Sequence, residues 1–221
     1  MPNHCRNVLS VIGAGALEFA KKAKGHYPDY AQNPNFKHPE VVIEEQKPSE
    51  LCYNQFIPVP QGLLERTFGA EDYKRQAEKD GELLLIDGCV SGYDWQCKNW
   101  GTKWGAYDEA PAKIKGDDVV EYNFTTAWGA PVNFIATVST QYPEMTFVLS
   151  FGGEGPILGR IIIKNGAILD DVSDMEGQIE NEPEYPENDE DEDEMEHFED
   201  EFSEWLNQFI DTQDTCVAEY R

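Results

Sequence analysis

The sequence lacks any apolar run of the about 20 residues needed to cross a bilayer. Its longest nearly apolar stretches, such as PILG followed by RIII, are far shorter. The N-terminal MPNHCRNVLS has neither the basic nor the apolar region of a signal peptide. The five cysteines form no CxxC pair and no even set: Cys5, Cys52, Cys89, Cys97 and Cys216. We therefore expect a soluble cytoplasmic protein with reduced thiols and no membrane partner.

Motifs for catalysis, cofactors and metals are also missing. His4 precedes Cys5, but the other histidines, His26, His38 and His197, stand in no zinc-like spacing with the cysteines. GAGALEF at 13–19 is an incomplete phosphate-loop pattern, and FGGEGPILGR joins two predicted strands rather than opening a helix. NDEDEDEME at 188–196 lacks the glycine that an EF-hand loop requires. We predict no catalytic residue, no cofactor and no metal site, and we expect a protein that is not an enzyme.

Basic residues are scarce in one part of the chain only. Residues 1–169 carry 21 acidic and 16 basic side chains, whereas residues 170–221 carry 22 acidic and one basic, so the second segment contributes −21 of the net −26. This asymmetry predicts a folded body at 1–169 and an acidic tail at 170–221. Such a polyanion repels nucleic acid and anionic membranes and is steered toward basic surfaces.

Local patterns predict the elements of the body. CRNVLSVIG is a strand and ALEFAKKAK a helix, and EDYKRQAEKD predicts an exposed helix near 70–80. In DVVEYNFTT, apolar residues alternate with Glu121, Asn123 and Thr125, which indicates a strand with one buried and one wet face. APVNFIATVSTQYPE is a helix with Pro131 in its first turn, and MTFVLSF and RIIIKNGAIL are strands with a hairpin at Asn165-Gly166.

This order predicts an α+β fold, namely a ferredoxin-like split βαβ sandwich made of two βαβ-type halves. Its helices would lie on one face of an antiparallel sheet. The segment at about 25–117 is too long for a plain loop, so it should be a helical insertion.

The motifs resemble those of the YubB or Api92-like ferredoxin-fold proteins of enterobacterial plasmids and bacteriophages. The resemblance is carried by MPNHCRNVLSVIG, FIPVP, DWQCKNWGTKWGAYD and FTTAWGAPVNFIATVSTQYPEMTF, within residues 1–169. It implies a mobile-element origin, a location in the cytoplasm of a bacterial host cell and a ferredoxin-shaped fold. It implies no iron–sulfur cluster, and no cysteine spacing here fits one. The resemblance brings no catalytic residues, and the acidic tail lies outside the part that it covers.

The NWGTKW motif, residues 99–104, is central to this resemblance and has two interpretations. As a surface platform, Trp100, Trp104 and Tyr107 would stack on a base or a peptide, with Lys103 nearby. As part of the fold, the two tryptophans would fill the gap between insertion and sheet. We favour a structural role for the whole motif: Asn99, Trp100, Gly101, Thr102, Lys103 and Trp104.

The tail ends in HFEDEFSEWLNQFIDT, which predicts an acidic amphipathic helix at about 198–212 after a disordered polyanion at 170–196. Its apolar stripe would dock onto the body or bind a partner, and either arrangement displays carboxylates outward. The predicted partner-binding residues are Asp189, Glu190, Asp191, Glu192, Asp193, Glu194, Glu199, Asp200, Glu201, Phe202, Trp205 and Phe209. The tail would otherwise be a solubilising appendage.

Three functions follow from these features. The first is an accessory protein that inhibits a basic, nucleic-acid-binding host protein, such as a defence, CRISPR or restriction component, by imitating the charge of DNA or RNA. The second is an enzyme or small-ligand protein with a site among Trp95, Trp100, Trp104 and Asp108. The third is an assembly module that uses the C-terminal helix. The partner's identity and the oligomeric state are not encoded in any motif.

Overall fold

The central element of the fold is an antiparallel sheet. A computed structural model of the chain describes residues 4–26, 48–64, 85–153, 157–171 and 192–221. Within them, six strands are ordered β2–β3–β1–β4–β5–β6. The strands are β1 His4–Ile12, β2 Lys113–Ile114, β3 Val119–Ala127, β4 Thr146–Gly153, β5 Ile157–Lys164 and β6 Ala167–Asp171. The helices are α1 Ala16–Ala23, α2 Gln61–Leu64, α3 Gly92–Asn99, α4 Val132–Gln141, α5 Glu192–Asp211 and α6 Gln213–Tyr220.

The strand connections confirm the ferredoxin-like α+β class and correct one detail of it. Strand β1 is antiparallel to both β3 and β4, so β3 and β4 run parallel to each other on either side of β1. Helix α4 joins them, which makes β3–α4–β4 a split βαβ unit. The predicted first half, which begins with β1 and α1, is not a second unit of this kind. A βαβ unit joins two parallel strands, whereas α1 and the insertion join β1 to its antiparallel neighbour β3.

Most elements of the body lie where the local patterns predict them. Strands β1, β3 and β4 and helices α1 and α4 follow their motifs within two residues, and Pro131 is the residue that precedes α4. The hairpin between β5 and β6 is a two-residue turn in which Asn165 and Gly166 have φ values of 48° and 76°. Two positive φ angles define the type I′ turn that Asn-Gly favours. The predicted helix near 70–80 lies outside the described residues.

The main core lies between one face of the sheet and helices α1 and α4. Leu9 and Phe147 of the sheet pack there against Phe19 of α1 and Phe134 of α4. The insertion contributes α2, α3, a 3-10 turn at Tyr53–Gln55, and further core residues, namely Leu51, Tyr53, Trp95 and Trp100. The described parts of the insertion therefore carry helices, as its length predicts. They enlarge the core on the same face of the sheet as α1 and α4.

Two carboxylates attach the insertion to the sheet edge. Glu109 accepts a hydrogen bond of 2.7 Å from the backbone N–H of Leu51. Glu50 accepts one of 3.2 Å from the N–H of Ala112 and pairs with Lys24 at 2.9 Å. Burial is the main reason that the pKa of Glu109 is raised. Both groups thus hold the fold together.

The second face of the sheet is covered, which corrects the expectation of helices on one face only. Helices α5 and α6 lie on it, and Val217 packs with Ile12, Val119, Val148 and Ile162. Glu121, predicted to be exposed to solvent, is consequently buried.

The bounds of the tail elements also differ from the prediction. Strand β6 continues to Asp171, and α5 begins at Glu192 rather than near residue 198. Residues 192–196 are helical, whereas residues 172–191 lie outside the described residues.

Candidate functional site

The C-terminal helices are held on the sheet by a stripe of buried side chains. Trp205, Phe209, Gln213 and Val217 follow one another at intervals of four residues, and all are buried. Residues four apart lie on the same side of a helix, which places Trp205 and Phe209 together on α5, and Gln213 and Val217 together on α6. The apolar pattern that predicts an amphipathic helix is therefore the surface with which the tail docks on its own body.

Polar contacts fix the register of this docking. The side-chain N–H of Gln213 donates to the hydroxyl of Ser10 at 2.8 Å and to the carbonyl of Val8 at 3.2 Å. Arg160 donates to the carbonyl of Phe209 at 3.2 Å and places its guanidinium 4.8 Å from the centre of that ring. Such directional bonds between buried groups specify one arrangement of helix on sheet.

Ion pairs tie the last helix to the edge of the sheet. The Lys115 ammonium lies 2.6 Å from a carboxylate oxygen of Glu121 and 2.5 Å from one of Asp214. Burial opposes ionisation of Glu121, yet hydrogen bonds from Lys115 and Lys113 bring the pKa of Glu121 below its ordinary value. Arg221 donates two hydrogen bonds, of 3.0 and 2.7 Å, to Asp118.

The outward side of α5 carries exposed carboxylates. Asp200, Glu201 and Glu204 are exposed, and we call these three residues the carboxylate ridge. Of the other predicted partner-binding residues, Trp205 and Phe209 are buried against the body, so their aromatic rings are not on the surface. The backbones of Glu192, Asp193, Glu194, Glu199 and Phe202 lie on α5. Asp189, Glu190 and Asp191 lie outside the described residues.

Trp100 of the NWGTKW motif belongs to the core. It is fully buried, its indole N–H donates to the carbonyl of Ile57 at 3.0 Å, and its ring meets those of Tyr53 and Trp95 edge-on. Asn99 is the last residue of α3, Gly101 has a φ of 80°, and the buried hydroxyl of Thr102 bonds to the carbonyl of Trp104. These four motif residues shape a tight turn around a core side chain.

Lys103 and Trp104 are instead part of a surface cluster. The Lys103 ammonium lies 4.5 Å from the ring centre of Trp104 and 5.3 Å from that of Trp128. Tyr93 of α3 meets the ring of Trp128 edge-on at 6.0 Å. We call Tyr93, Lys103, Trp104 and Trp128 the aromatic cluster.

Sequence reasoning did not assign Trp128 or Tyr93 to a site. The available signal for Trp128 was an aromatic residue between the end of a strand and the glycine before the next helix, in TTAWGAP. Such a turn residue faces solvent by position, and Trp128 is 45% exposed. Tyr93 comes near it only through the packing of α3, which no local pattern shows.

A cavity of about 400 Å³ opens between α5 and the sheet. Its polar lining consists of His4, Arg6, Asp108, Asn123, Thr125 and Ser203. Asp108 therefore lies in this cavity, whereas Trp95 and Trp100 are in the core, so the structure does not bring the predicted aromatic site together around Asp108.

Beside the cavity, His4 hydrogen-bonds through Nδ1 to the hydroxyl of Tyr107 at 2.7 Å. The neighbouring Cys5 is buried, and burial raises the pKa of its thiol to about 12, which keeps that thiol protonated. Cys5 is therefore a buried core residue at the start of β1.

Neither a cluster of metal-ligating side chains nor a membrane-spanning helix occurs among the described residues. Among the described residues, no group of three or more His, Cys, Asp or Glu side chains is arranged to hold a metal ion. Within the same part of the chain, no helix is both long and apolar enough to span a membrane.

Comparisons with known proteins concern the family. No curated protein matches the sequence significantly. A crystal structure of the protein Api92 from Yersinia pseudotuberculosis aligns with a TM-score of 0.44 and 8% identity, covering 78% of this chain and 98% of that one. The model of the ferredoxin-like domain in Api92-like proteins matches residues 99–200, which run from the end of α3 through the sheet into α5. Residues 99–200 are therefore similar to the ferredoxin-like domain of Api92-like proteins.

Proposed function

We propose that the chain is a non-enzymatic accessory protein of a phage or plasmid that inhibits a basic, nucleic-acid-binding host protein. The carboxylate ridge would occupy the surface that DNA or RNA phosphates normally occupy. The observation that carries this proposal is an acidic helix fixed to a folded body with its carboxylates facing solvent. A defence, CRISPR or restriction component is a partner of the required chemistry.

The docked helix holds the carboxylates of the ridge at a fixed spacing. Asp200 and Glu204 are four residues apart, which is about 6 Å along the helix axis. Charges on one strand of DNA are spaced by about 3.4 Å of axis, so these two carboxylates would take the places of every second phosphate. A docked helix holds this spacing before binding, so little conformational entropy is lost when a partner binds.

The charge distribution determines which partners are attracted. Residues 170–221 carry a net −21, and the whole chain carries −26. This field attracts arginine- and lysine-rich surfaces and repels phosphates, so neither nucleic acid nor an anionic membrane is a direct partner in this proposal. Binding through exposed charges weakens as salt rises.

The test compares two matched triple variants. Asp200→Asn/Glu201→Gln/Glu204→Gln removes the carboxylate ridge. Glu18→Gln/Asp87→Asn/Glu144→Gln removes three exposed carboxylates elsewhere and leaves the same net charge. Each form is used to capture proteins from bacterial lysate at low salt, and bound proteins are challenged with duplex DNA. The DNA affinity of a captured protein is then measured with and without each form.

We expect the wild type and the control variant to hold a nucleic-acid-binding protein that salt and duplex DNA release. The ridge variant should bind about three- to 160-fold more weakly, because each of the three exposed charge pairs lost contributes roughly 0.2–1 kcal/mol. Equal binding by the two variants, or binding unaffected by salt, would refute recognition through the ridge.

A further inference from the structure

The aromatic cluster has the geometry of a site for a positively charged group. Two indole rings, those of Trp104 and Trp128, each lie within 5.3 Å of the Lys103 ammonium. Attraction between a cation and a ring face is significant within about 6 Å of the ring centre. The chain's own lysine thus shows that this place accepts a cation.

The backbone holds Trp128 in the cluster against its conformational preference. Trp128 has a φ of 74°, in the left-handed region that bulky residues rarely adopt. A hydrogen bond of 2.7 Å from the hydroxyl of Thr126 to the carbonyl of Gly129 closes the turn around it. Residues kept in such conformations concentrate at binding sites. Trp128 is also the most exposed member of the cluster, at 45%, whereas the other three members are half-buried.

We propose that the aromatic cluster binds the guanidinium group of an arginine on a basic protein partner, and that Lys103 occupies the site in the unbound chain. The inference rests on the proposed function and deepens it by naming the side chain that is recognised. Arginine fits better than lysine, because its planar, weakly hydrated guanidinium stacks on aromatic faces. On binding, the arginine displaces the Lys103 ammonium from the rings of Trp104 and Trp128.

Charge argues for a cation rather than a nucleotide as the occupant. The protein carries a net −26, and a phosphate would have to approach against that field. A nucleotide would use Lys103 as an attractive partner, whereas an arginine must compete with it. Removal of the lysine charge should therefore weaken the binding of a nucleotide and strengthen the binding of an arginine.

The experiment follows the indole N–H signals of the full chain by NMR during titration with capped arginine, N-acetyl-arginine amide. Thymidine monophosphate is the anionic comparison probe. The variants are Lys103→Met, Trp128→Asn and, as a control, Lys98→Met. Lys98 is exposed on α3 and bonds to the carbonyl of Asp87, so its loss changes the net charge equally. Asparagine suits position 128 because it adopts the left-handed conformation readily.

We expect the signals of Trp104 and Trp128 to shift saturably with capped arginine. Trp128→Asn should weaken binding about two- to fivefold, the contribution of one exposed cation–π contact. Lys103→Met should tighten it by a similar factor relative to Lys98→Met. Weaker arginine binding in Lys103→Met, equal affinity in the two lysine variants, or preferential binding of the nucleotide would each overturn the inference.

The two proposals fail separately. If the ridge variant loses a captured partner while Trp128→Asn keeps it and no indole signal responds to arginine, the inference about the cluster is wrong and the proposed function stands. If the indole signals respond to arginine as expected but salt and DNA release no captured protein, the proposed function is wrong and the cation site stands.

Discussion

Replacing Phe209 by alanine should weaken the docking of α5 and α6 on the sheet and leave the rest of the protein folded. The ring of Phe209 is 8% exposed and faces the guanidinium of Arg160 at 4.8 Å. Truncating a buried phenylalanine costs about 3–5 kcal/mol. Because this ring lies in the outer layer and retains some exposure, we take about 3 kcal/mol, the lower end of that range. This corresponds to roughly a hundredfold change in the equilibrium between docked and undocked helices.

The loss should stay local, because the main core lies on the opposite face of the sheet. Leu9, Phe134 and Phe147 belong there to a core cluster that includes none of the described side chains of α5 and α6. Hydrogen exchange read by mass spectrometry measures the effect segment by segment. We expect α5 and α6 to exchange up to a hundredfold faster, while β4 and α4 keep their protection. Gln208→Ala, at the exposed neighbouring position on the same helix, should leave exchange unchanged.

Two outcomes would refute this reasoning. Unchanged protection in α5 and α6 would mean that the Phe209 ring contributes little to docking. Equal loss of protection in the tail helices and in β4 would mean that the two faces of the sheet unfold as one unit, so the tail would be part of a single cooperative core.

Three further changes test the structure by denaturant unfolding or by binding. Trp100→Phe should lower the free energy of unfolding by about 2–4 kcal/mol, since it leaves a cavity and an unpaired carbonyl, whereas Trp104→Phe at the surface should change it by less than about 1 kcal/mol. Gly153→Ala should destabilise by about 1–3 kcal/mol, because its Cβ would lie within 3.0 Å of two backbone atoms of the adjacent strand β1. Glu121, whose pKa is lowered in the folded state, should contribute stability above pH 4.5 that is lost as the pH falls through its folded pKa. The difference in stability between wild type and Glu121→Gln should therefore shrink in acid, and a constant difference would contradict the ion pairs.

The elements with strong local signals could be predicted from the sequence. Alternation in β3, the helical spacing in α4 and the Asn165-Gly166 turn each depend on residues close together in the chain. The amphipathic pattern of α5 also predicted a helix, although not its start. The order of strands could be narrowed to a ferredoxin-like arrangement because few topologies join such elements with short connections.

The environment of a strand face could not be predicted in the same way. The alternating pattern shows that the side chain of Glu121 points to the other face of the sheet from those of Val120 and Tyr122. It does not show that α6 would cover that face, or that Lys115 would link Glu121 to Asp214. That contact joins residues about a hundred positions apart. For the same reason, the sequence could not separate Trp100, which is in the core, from Trp104, which is at the surface four residues later.

Docking of the tail determines how the proposed charge imitation can be tested further. If a partner recognises carboxylates at fixed spacing, Phe209→Ala should weaken binding even though it removes no charge, because the undocked helix must be ordered again on binding. If a partner responds only to the total charge of the tail, Phe209→Ala should leave its affinity unchanged while the ridge variant lowers it in proportion to the charge removed. The affinity of each variant for the partner can be measured by fluorescence anisotropy at a fixed salt concentration. Comparison of the two affinities distinguishes a structured imitation of a nucleic-acid strand from simple attraction to a polyanion. A lower affinity in both variants is the result that the docked helix predicts.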